Sequence, residues 1–318
     1  MYITIGVFDG IHRGHKKVLH LLTRTAKQQR AKSMLLSICF PQKNNFTNPD
    51  RGNPDNNLLT EAEKNAGLST EGIDYYTLIQ YSKIRDMTYN DFLIWLTSKI
   101  KLAGLIASDK LRIGKDRKGT PFRIKKYLNE NFPETYVHYI PSVKTSDRSG
   151  CAISSTLIKK HIRSGNVRAA AKLLGNPYSV SGKIIHGKKF GRTLGFPTAN
   201  MELPKSKIVP GYGVYICTAE IEKQLFPGVC FIGTAGFPGH ARPNLPRKPI
   251  PAAIETHLLN FSKTVYNKVV KIEFLQLLRK SRHFSNPEAL SKVIAEDCRK
   301  ARSYFYRRRI SYRFQENI

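Results

Sequence analysis

The apolar positions change period near the middle of the chain. In the first half, short apolar runs alternate with stretches of helical spacing. Residues 2–7 are an apolar run bounded by glycine. Residues 14–30 place Val18, Leu22 and Ala26 four apart, on one face of a helix. Residues 33–40 (SMLLSICF) read as a buried strand. Residues 42–57, rich in Asn, Pro and Gly, read as a loop. Thr60-Glu61-Ala62-Glu63 is a capping box that opens a helix. Residues 75–79 predict a strand, and Thr88 opens a helix carrying Phe92, Trp95 and Leu96. Residues 105–107 and 136–140 predict two further short strands. Strands separated by helices imply a parallel sheet with crossover connections.

Two short helices follow. One starts near Ser154 or Ser155; the other runs over about Val167 to Leu174 and stops at Gly175, with Pro177 marking a boundary. Beyond it the texture differs. Residues 178–186, 213–221, 228–232, 252–261 and 269–275 are strand-like runs between Gly/Pro/Asn loops, as in a small antiparallel barrel. Residues 287–304 predict a last helix with Leu290, Val293 and Ile294 apolar, and Arg307-Arg308-Arg309 a frayed basic tail. The expectation is an α/β domain over 1–175 and a β domain over 176–318. A chain of 318 residues is long enough for two cores.

Composition narrows this picture. Hydrophobic residues make up 41% and aromatics 10%, which argues for packed cores and against long disorder. Lys+Arg number 53 against Asp+Glu 23, a formal net charge of +30. Such a surface suits nucleotides, nucleic acid or anionic membranes, and a general basic bias accounts for it equally well. The five cysteines form no C-x-x-C pair and are odd in number, so buried thiols in a reducing compartment are expected rather than disulfides or zinc. The N-terminal residues 1–5 lack a basic segment leading into an apolar stretch. No apolar run approaches the roughly 18 residues of a membrane span. A cytoplasmic protein without a membrane partner is expected.

Residues 6–15, GVFDGIHRGH, end the first strand and open the first helix. Glycines let the backbone approach a ligand, and a helix N-terminus offers free N–H groups and a positive dipole end. His12 and His15 can reach one phosphate together and stabilise the charge of a transferring nucleotidyl group. At Ile153-Ser154-Ser155-Thr156, hydroxyls and backbone N–H groups of a second helix start can hold phosphates; a plain helix cap is the competing reading. In the second half, residues 182–200 read GKIIHGKKFGRTLGFPTAN. Gly187, Gly191 and Gly195 punctuate a loop with Lys188, Lys189 and Arg192, which can wrap phosphates through backbone N–H groups and charge. Thr198 and Asn200 supply hard oxygen donors of the type magnesium prefers.

The first motif resembles the signature of the H-x-G-H nucleotidyltransferase superfamily, and Gly6-Val7-Phe8-Asp9-Gly10 matches its FAD synthetase branch. The resemblance implies a Rossmann-like domain that transfers AMP from ATP to FMN with release of pyrophosphate. It assigns ATP and phosphate contacts to Gly6, Phe8, Asp9 and Gly14, and catalysis to His12 and His15. Residues 153–159 resemble the family's I-S-S-T-x-I-R, adding Ser154, Ser155, Thr156 and Lys159 to the phosphate contacts. The string G-R-x-L-G-F-P-T-A-N resembles the ATP–magnesium loop of riboflavin kinases, which implies a six-stranded Greek-key barrel with a C-terminal helix. It places Gly187, Gly191, Arg192, Gly195, Thr198 and Asn200 around ATP, with Thr198 and Asn200 on Mg2+. Residues 254–261, IETHLLNF, resemble the family's I-E-x-H-L-L-D-F strand and make Glu255 the general base for the riboflavin 5′-hydroxyl; solvent exposure is its bland alternative. Leu278-Arg279 with Phe284 resembles L-R-x-E-x-K-F and makes Arg279 a flavin contact. The resemblance spans residues 3–304 in the domain order of the bacterial FAD synthetase family. Its implied small molecules are riboflavin, FMN, FAD, ATP and Mg2+.

The chain departs from these patterns at named places. Gln42 stands where the family has the histidine of P-H-P. Ser108–Gly114 replaces G-x-D-F-x-F-G, with Lys110 for the acidic or amide residue and aliphatics for both aromatics. Ser281 and His283 replace Glu and Lys, and Ala235-Gly236-Phe237 replaces R-P-T. Lys110 and Gln42 motivate an alternative, a riboflavin kinase with a degenerate first domain. The charge of +30 motivates a third, a basic nucleic-acid binder, but no recognition helix or aromatic-rich basic repeat supports a specific nucleic-acid partner.

Overall fold

A computed structural model describes residues 1–40, 57–147, 149–203, 207–234, 252–282, 284 and 286–308. The expected loop over 42–57 apart from its last residue, Gln42 itself, Ala235-Gly236-Phe237, His283 and Arg309 lie outside the described residues. The chain divides into two compact units, Met1–Ile158 with Leu173–Gly175, and Lys159–Lys172 with Asn176–Ile318.

The first unit alternates strand and helix: β1 (Tyr2–Gly6), α1 (Arg13–Gln28), β2 (Ser33–Cys39), α2 (Glu61–Thr70), β3 (Tyr75–Gln80), α3 (Tyr81–Ile84), α4 (Tyr89–Lys99), β4 (Gly104–Ser108), α5 (Pro121–Asn131) and β5 (Tyr136–Ile140). The strands pair in parallel in the order β3-β2-β1-β4-β5. β1 is covered on both sides, as a central parallel strand must be. Ile3 and Ile5 pack with Phe92, Leu93 and Leu96 of α4, while Tyr2 packs with Val18, Leu19 and Leu22 of α1. The expected capping box forms between Thr60 and Glu63, and the helix expected to open at Thr88 has a second one, Thr88 with Asp91. The order reverses between β1 and β4, so their C-terminal ends open the crevice where such sheets bind ligands.

After α6 (Ser155–Arg163) and α7 (Val167–Leu174) come β6 (Tyr178–Ile185), α8 (Phe190–Thr193), β7 (Ala199–Met201), β8 (Gly213–Ile221), β9 (Gln224–Thr234), β10 (Ala252–Leu258), β11 (Val269–Lys280) and α9 (Pro287–Arg307). The six strands close a barrel in the order β10-β7-β6-β11-β8-β9, every pair antiparallel. The neighbours β11-β8-β9-β10 form a Greek key, the last strand returning beside the first. The strand expected over 252–261 stops at Leu258, since Asn260 takes a left-handed φ of 53°. β11 runs beyond the expected residue 275 to Lys280, which brings Arg279 into the barrel wall. The Asn286 side chain caps α9 through the Ala289 amide at 2.8 Å. Its buried stripe, Cys298, Ala301 and Phe305, packs with Val214, Ile216 and Val229.

Candidate active sites

The turn between β1 and α1 is strained and tied down. Phe8 (φ 48°), Gly10 (φ 96°) and Ile11 (φ 38°) all lie in the left-handed region, where bulky residues are rare. Side chains from elsewhere hold it. Asp9 Oδ1 accepts from the Leu58 amide at 2.8 Å, Ser155 Oγ donates to Asp9 O at 2.5 Å, and Ser37 Oγ donates to Val7 O at 3.0 Å. Strain of this kind persists only where the surroundings over-determine it, and it clusters at functional sites. The result is the placement of two imidazoles. His12 is the N-cap of α1, its Nδ1 accepting from the His15 amide at 3.2 Å. The His12 and His15 rings stack with centroids 3.7 Å apart and 14° between planes, and Phe8 covers His15 at 4.5 Å. At Gly14, an added Cβ would meet the His12 ring at 3.1 Å, so glycine permits the pair to close.

Burial drives both imidazoles to the neutral form. His12 is pushed down to about 4, chiefly by desolvation, against an opposing backbone hydrogen bond and the Asp9 charge. His15 falls well below its ordinary value, first through burial and then through His12 and Lys64. Because His12 Nδ1 accepts an amide proton, its proton sits on Nε2, which is free to donate. His15 Nδ1 is buried with no hydrogen-bond partner among the described residues. The folding linkage has a definite sign. The folded His12 value lies below the unfolded 6.5, so the unfolded chain binds more protons between pH 6.5 and about 4 and stability falls as pH drops through that window. A shift of this size amounts to about 3 kcal/mol at full protonation. Thermal melts of this unit between pH 7 and 4.5 should show that loss. His12→Asn keeps a capping acceptor without a titrating ring, and should flatten the pH dependence; an unchanged slope would remove His12 as its source.

These residues line a cavity of about 620 Å³ at the β1/β4 switch, which brings Gly6, Phe8, His12, Gly14 and His15 together. Its apolar walls include Ile38, Phe40, Tyr81, Phe92 and Ile113, and its polar rim includes Lys110, Arg112, Lys115 and Arg117. Asp9, Ser154, Ser155, Thr156 and Lys159 do not line it. Asp9 and Ser155 act on the turn instead, Ser154 Oγ accepts from the Leu157 amide at 3.3 Å, Thr156 is exposed, and Lys159 is buried.

The second cavity, of about 270 Å³, lies on the outside of the barrel. Along β10, Ile254, Thr256 and Leu258 are buried and Ala253, Glu255 and His257 face the cavity, so strand alternation aims the carboxylate outward. Register places Glu255 opposite Asn200 on β7 and Phe231 on β9. Thr198 Oγ1 donates to Glu255 Oε2 at 3.5 Å. Desolvation raises the Glu255 carboxyl above its usual range, with Thr198 and Lys188 opposing. His257 shares Nδ1 with Pro197 O at 2.9 Å, and Phe196 meets its ring edge-on, which fixes the Phe196-Pro197-Thr198 turn against β10. A Cβ at Gly187 would run into the Asn200 side chain, so the glycine loop closes directly on these oxygen donors.

Gly187, Gly191, Thr198, Asn200, Glu255 and Arg279 come together here, whereas Arg192 and Gly195 are exposed and do not line the cavity. Arg279 is held by Asp297 of α9, Nε to Oδ2 at 2.9 Å, with the carboxylate almost fully buried, and its guanidinium lies 5.5 Å over the Phe284 ring. Val214, Val229, Phe231, Leu290 and Ile294 add an apolar slot beside it. Sequence reading missed Phe231, His257 and Asp297. Alternation along β9 and β10 was the available signal for the first two.

Comparison with known proteins finds two families along the chain. Residues 1–157 match the FAD synthetase family and residues 174–305 the riboflavin kinase family. The bifunctional riboflavin kinase/FMN adenylyltransferase of Bacillus subtilis is 30% identical over 305 residues, 95% of this chain and 92% of its own length. The protein of the same name from Pseudomonas fluorescens is 31% identical, over 94% of this chain and 91% of its own. A Streptococcus pneumoniae crystal structure described as a macrolide-efflux protein superposes with a TM-score of 0.81 at 27% identity, covering 95% and 93% of the two chains. Among the described residues of the present chain, no helix is long and apolar enough to cross a membrane.

Proposed function

Since the chain belongs to the bifunctional riboflavin kinase/FMN adenylyltransferase family, and so phosphorylates riboflavin to FMN and adenylylates FMN to FAD with ATP, we propose that the two reactions are divided between its two cavities. The domain limits 1–175 and 176–318 go with that division. The observation that carries it is that Gly6, Phe8, His12, Gly14 and His15 line one cavity and Gly187, Gly191, Thr198, Asn200, Glu255 and Arg279 another, one within each compact unit.

In the barrel cavity, the Glu255 carboxylate takes the proton of the riboflavin 5′-hydroxyl as the hydroxyl oxygen bonds to the γ-phosphorus of ATP; the bond from that phosphorus to the β,γ-bridging oxygen breaks, and ADP leaves with its electron pair. A carboxyl raised by desolvation is the stronger base for that step. Arg279, oriented by Asp297, borders the apolar slot that suits the flavin ring. The donors suit Mg2+: Thr198 Oγ1 and Asn200 Oδ1 are hard oxygens beside a glycine loop with no room for a Cβ. When bound there, the ion supplies positive charge to the phosphates of ATP. In the β1/β4 cavity, a phosphate oxygen of FMN attacks the α-phosphorus of ATP and pyrophosphate leaves. The neutral His12 donates from Nε2 to the reacting phosphate, and His15 stacks beside it. Gly6 and Gly14 give the backbone access, while Asp9 and Ser155 support the turn. The substrates favour a cytoplasmic location.

The test is a time course with pure protein, riboflavin, excess ATP and magnesium, the flavins being separated by chromatography. FMN appearing first and FAD after it is the expected result. FMN that accumulates without FAD would reduce the assignment to the kinase alone.

A further inference from the structure

The first unit has a basic groove that neither reaction uses. α1 contains Arg13, Lys16, Lys17, Arg24 and Lys27 and no acidic residue. Its buried stripe, Val18, Leu19, Leu22 and Ala26, faces the sheet and leaves Lys17, His20 and Arg24 exposed. β5 is an edge strand of that sheet. Ile140, at its C-terminal end, belongs to the buried cluster around α1. His138 and Tyr136 share the face of Ile140 by strand alternation, yet both are exposed. An open cavity of about 360 Å³ lies between the helix and the edge, lined by Lys17, His20, Leu21 and Arg24 from α1 and by His138 and Ile140 from β5. No described carboxylate lines it. The nearby Glu71 is taken by His20 Nε2 at 2.7 Å and Lys16 Nζ at 3.8 Å. Lys17 and Arg24 form no ion pair with another described residue. The Tyr136 and His138 rings are parallel to within 1°, with centroids 6.1 Å apart, and Tyr2 meets Tyr136 at 6.2 Å.

We propose that the α1/β5 groove binds single-stranded nucleic acid without sequence preference, Lys17 and Arg24 meeting backbone phosphates while Tyr136 and His138 stack on bases. Free cations beside aromatic faces are the two parts such binding needs, since every base has a π-face and every nucleotide a phosphate. Lys17 and Arg24 are seven residues apart on the helix, about 10 Å along its axis, the run of about three stacked nucleotides. One small anion cannot reach both, whereas a polymer can. A duplex keeps its bases covered and would gain nothing from the two rings. A bilayer needs apolar side chains that protrude, and here Leu21 is half-buried and Ile140 buried. The formal net charge of +30 draws any polyanion to the surface, and the groove gives it a place to dock. The groove lines neither active cavity, so occupancy of this site and flavin chemistry are separate properties of the chain.

The test titrates full-length protein against a fluorescein-labelled twelve-residue oligouridylate, read by anisotropy at several salt concentrations. Excess ATP and magnesium are present to occupy the two active cavities. The double variant Lys17→Gln/Arg24→Gln should weaken binding about 10-fold or more. It should also lower the slope of log K against log salt by about 1.4, since a single strand gives about 0.7 per phosphate contact. His138→Ala should weaken binding by about 5- to 100-fold through lost stacking and leave that slope unchanged. Lys125→Gln/Lys126→Gln removes the same charge from α5, whose Ile124 and Leu128 pack on the face of the sheet away from α1, and should bind as wild type does. Riboflavin phosphorylation in the same samples reports that each variant is folded. Absence of binding by wild type at physiological salt would overturn the inference. An equal loss in the α5 variant would overturn it too, because the oligonucleotide would then be sensing net charge alone. So would a duplex of the same length, or phosphatidylglycerol vesicles, competing as well as unlabelled single strand, which would leave the rings without a role.

Discussion

Glu255→Gln should lower the rate of FMN formation by about 10²- to 10⁴-fold, the range expected for removal of a general base. Glutamine keeps the shape of the side chain and can still accept from Thr198, so the β7/β10 pairing that carries Asn200 and Glu255 stays intact. What it loses is the ability to take a proton. FAD formation from supplied FMN should be unchanged, because no described residue that lines the β1/β4 cavity belongs to the barrel. The pH profile adds an independent readout. Glu255 must be ionised to act, and desolvation raises its carboxyl, so wild-type kcat/KM should fall as pH drops through that raised value. The residual activity of the glutamine variant should lack that limb. A variant that keeps most of its FMN formation would leave Glu255 as a structural partner of Thr198 and return the role of base to another group.

Much of this arrangement is legible in the sequence because local signals agree with the global fold. Thr60 announces a helix by a capping box, which forms, and Thr88 opens the helix read there, with Asp91 closing a second box. The apolar run before Gly6 and the histidines after it give the strand, turn and helix start of the first site. Other features depend on partners distant in sequence. α5 has a local signal, with Thr120 as N-cap and Pro121 at its first position, yet its buried positions are only Ile124 and Leu128 in a polar segment. β7 has three residues inside a glycine loop, and only its pairing with β6 and β10 makes it a strand. Asp9 is a motif residue whose carboxylate turns to the Leu58 amide, a contact 49 residues away that no spacing reveals. Phe231 and Asp297 join the barrel cavity through register and helix packing: Phe231 lies opposite Glu255, and Asp297 reaches Arg279 from α9. Sequence reading found the residues with chemistry of their own. It missed those whose role is to orient them.

His15→Ala should reduce FAD formation from FMN by about 10²- to 10³-fold, the cost of losing one preorganised donor at a developing charge. It is a cleaner probe than His12→Ala. His12 caps α1 through the His15 amide, and deleting that cap would cost about 1 kcal/mol of stability on its own. Among the described residues the His15 ring makes no hydrogen bond through Nδ1, and it stacks on His12 and Phe8. Alanine at a helical position is also favourable for the helix itself. The variant should therefore keep a melting temperature close to wild type while losing the transfer step. Riboflavin phosphorylation should be unaffected, so with riboflavin as substrate the protein should stop at FMN. If FMN and FAD formation fell together while the fold remained intact, the two cavities would not divide the chemistry. If FAD formation survived, His15 would be an element of α1 packing through its stacking on His12 and Phe8 rather than a donor to the transferring phosphate.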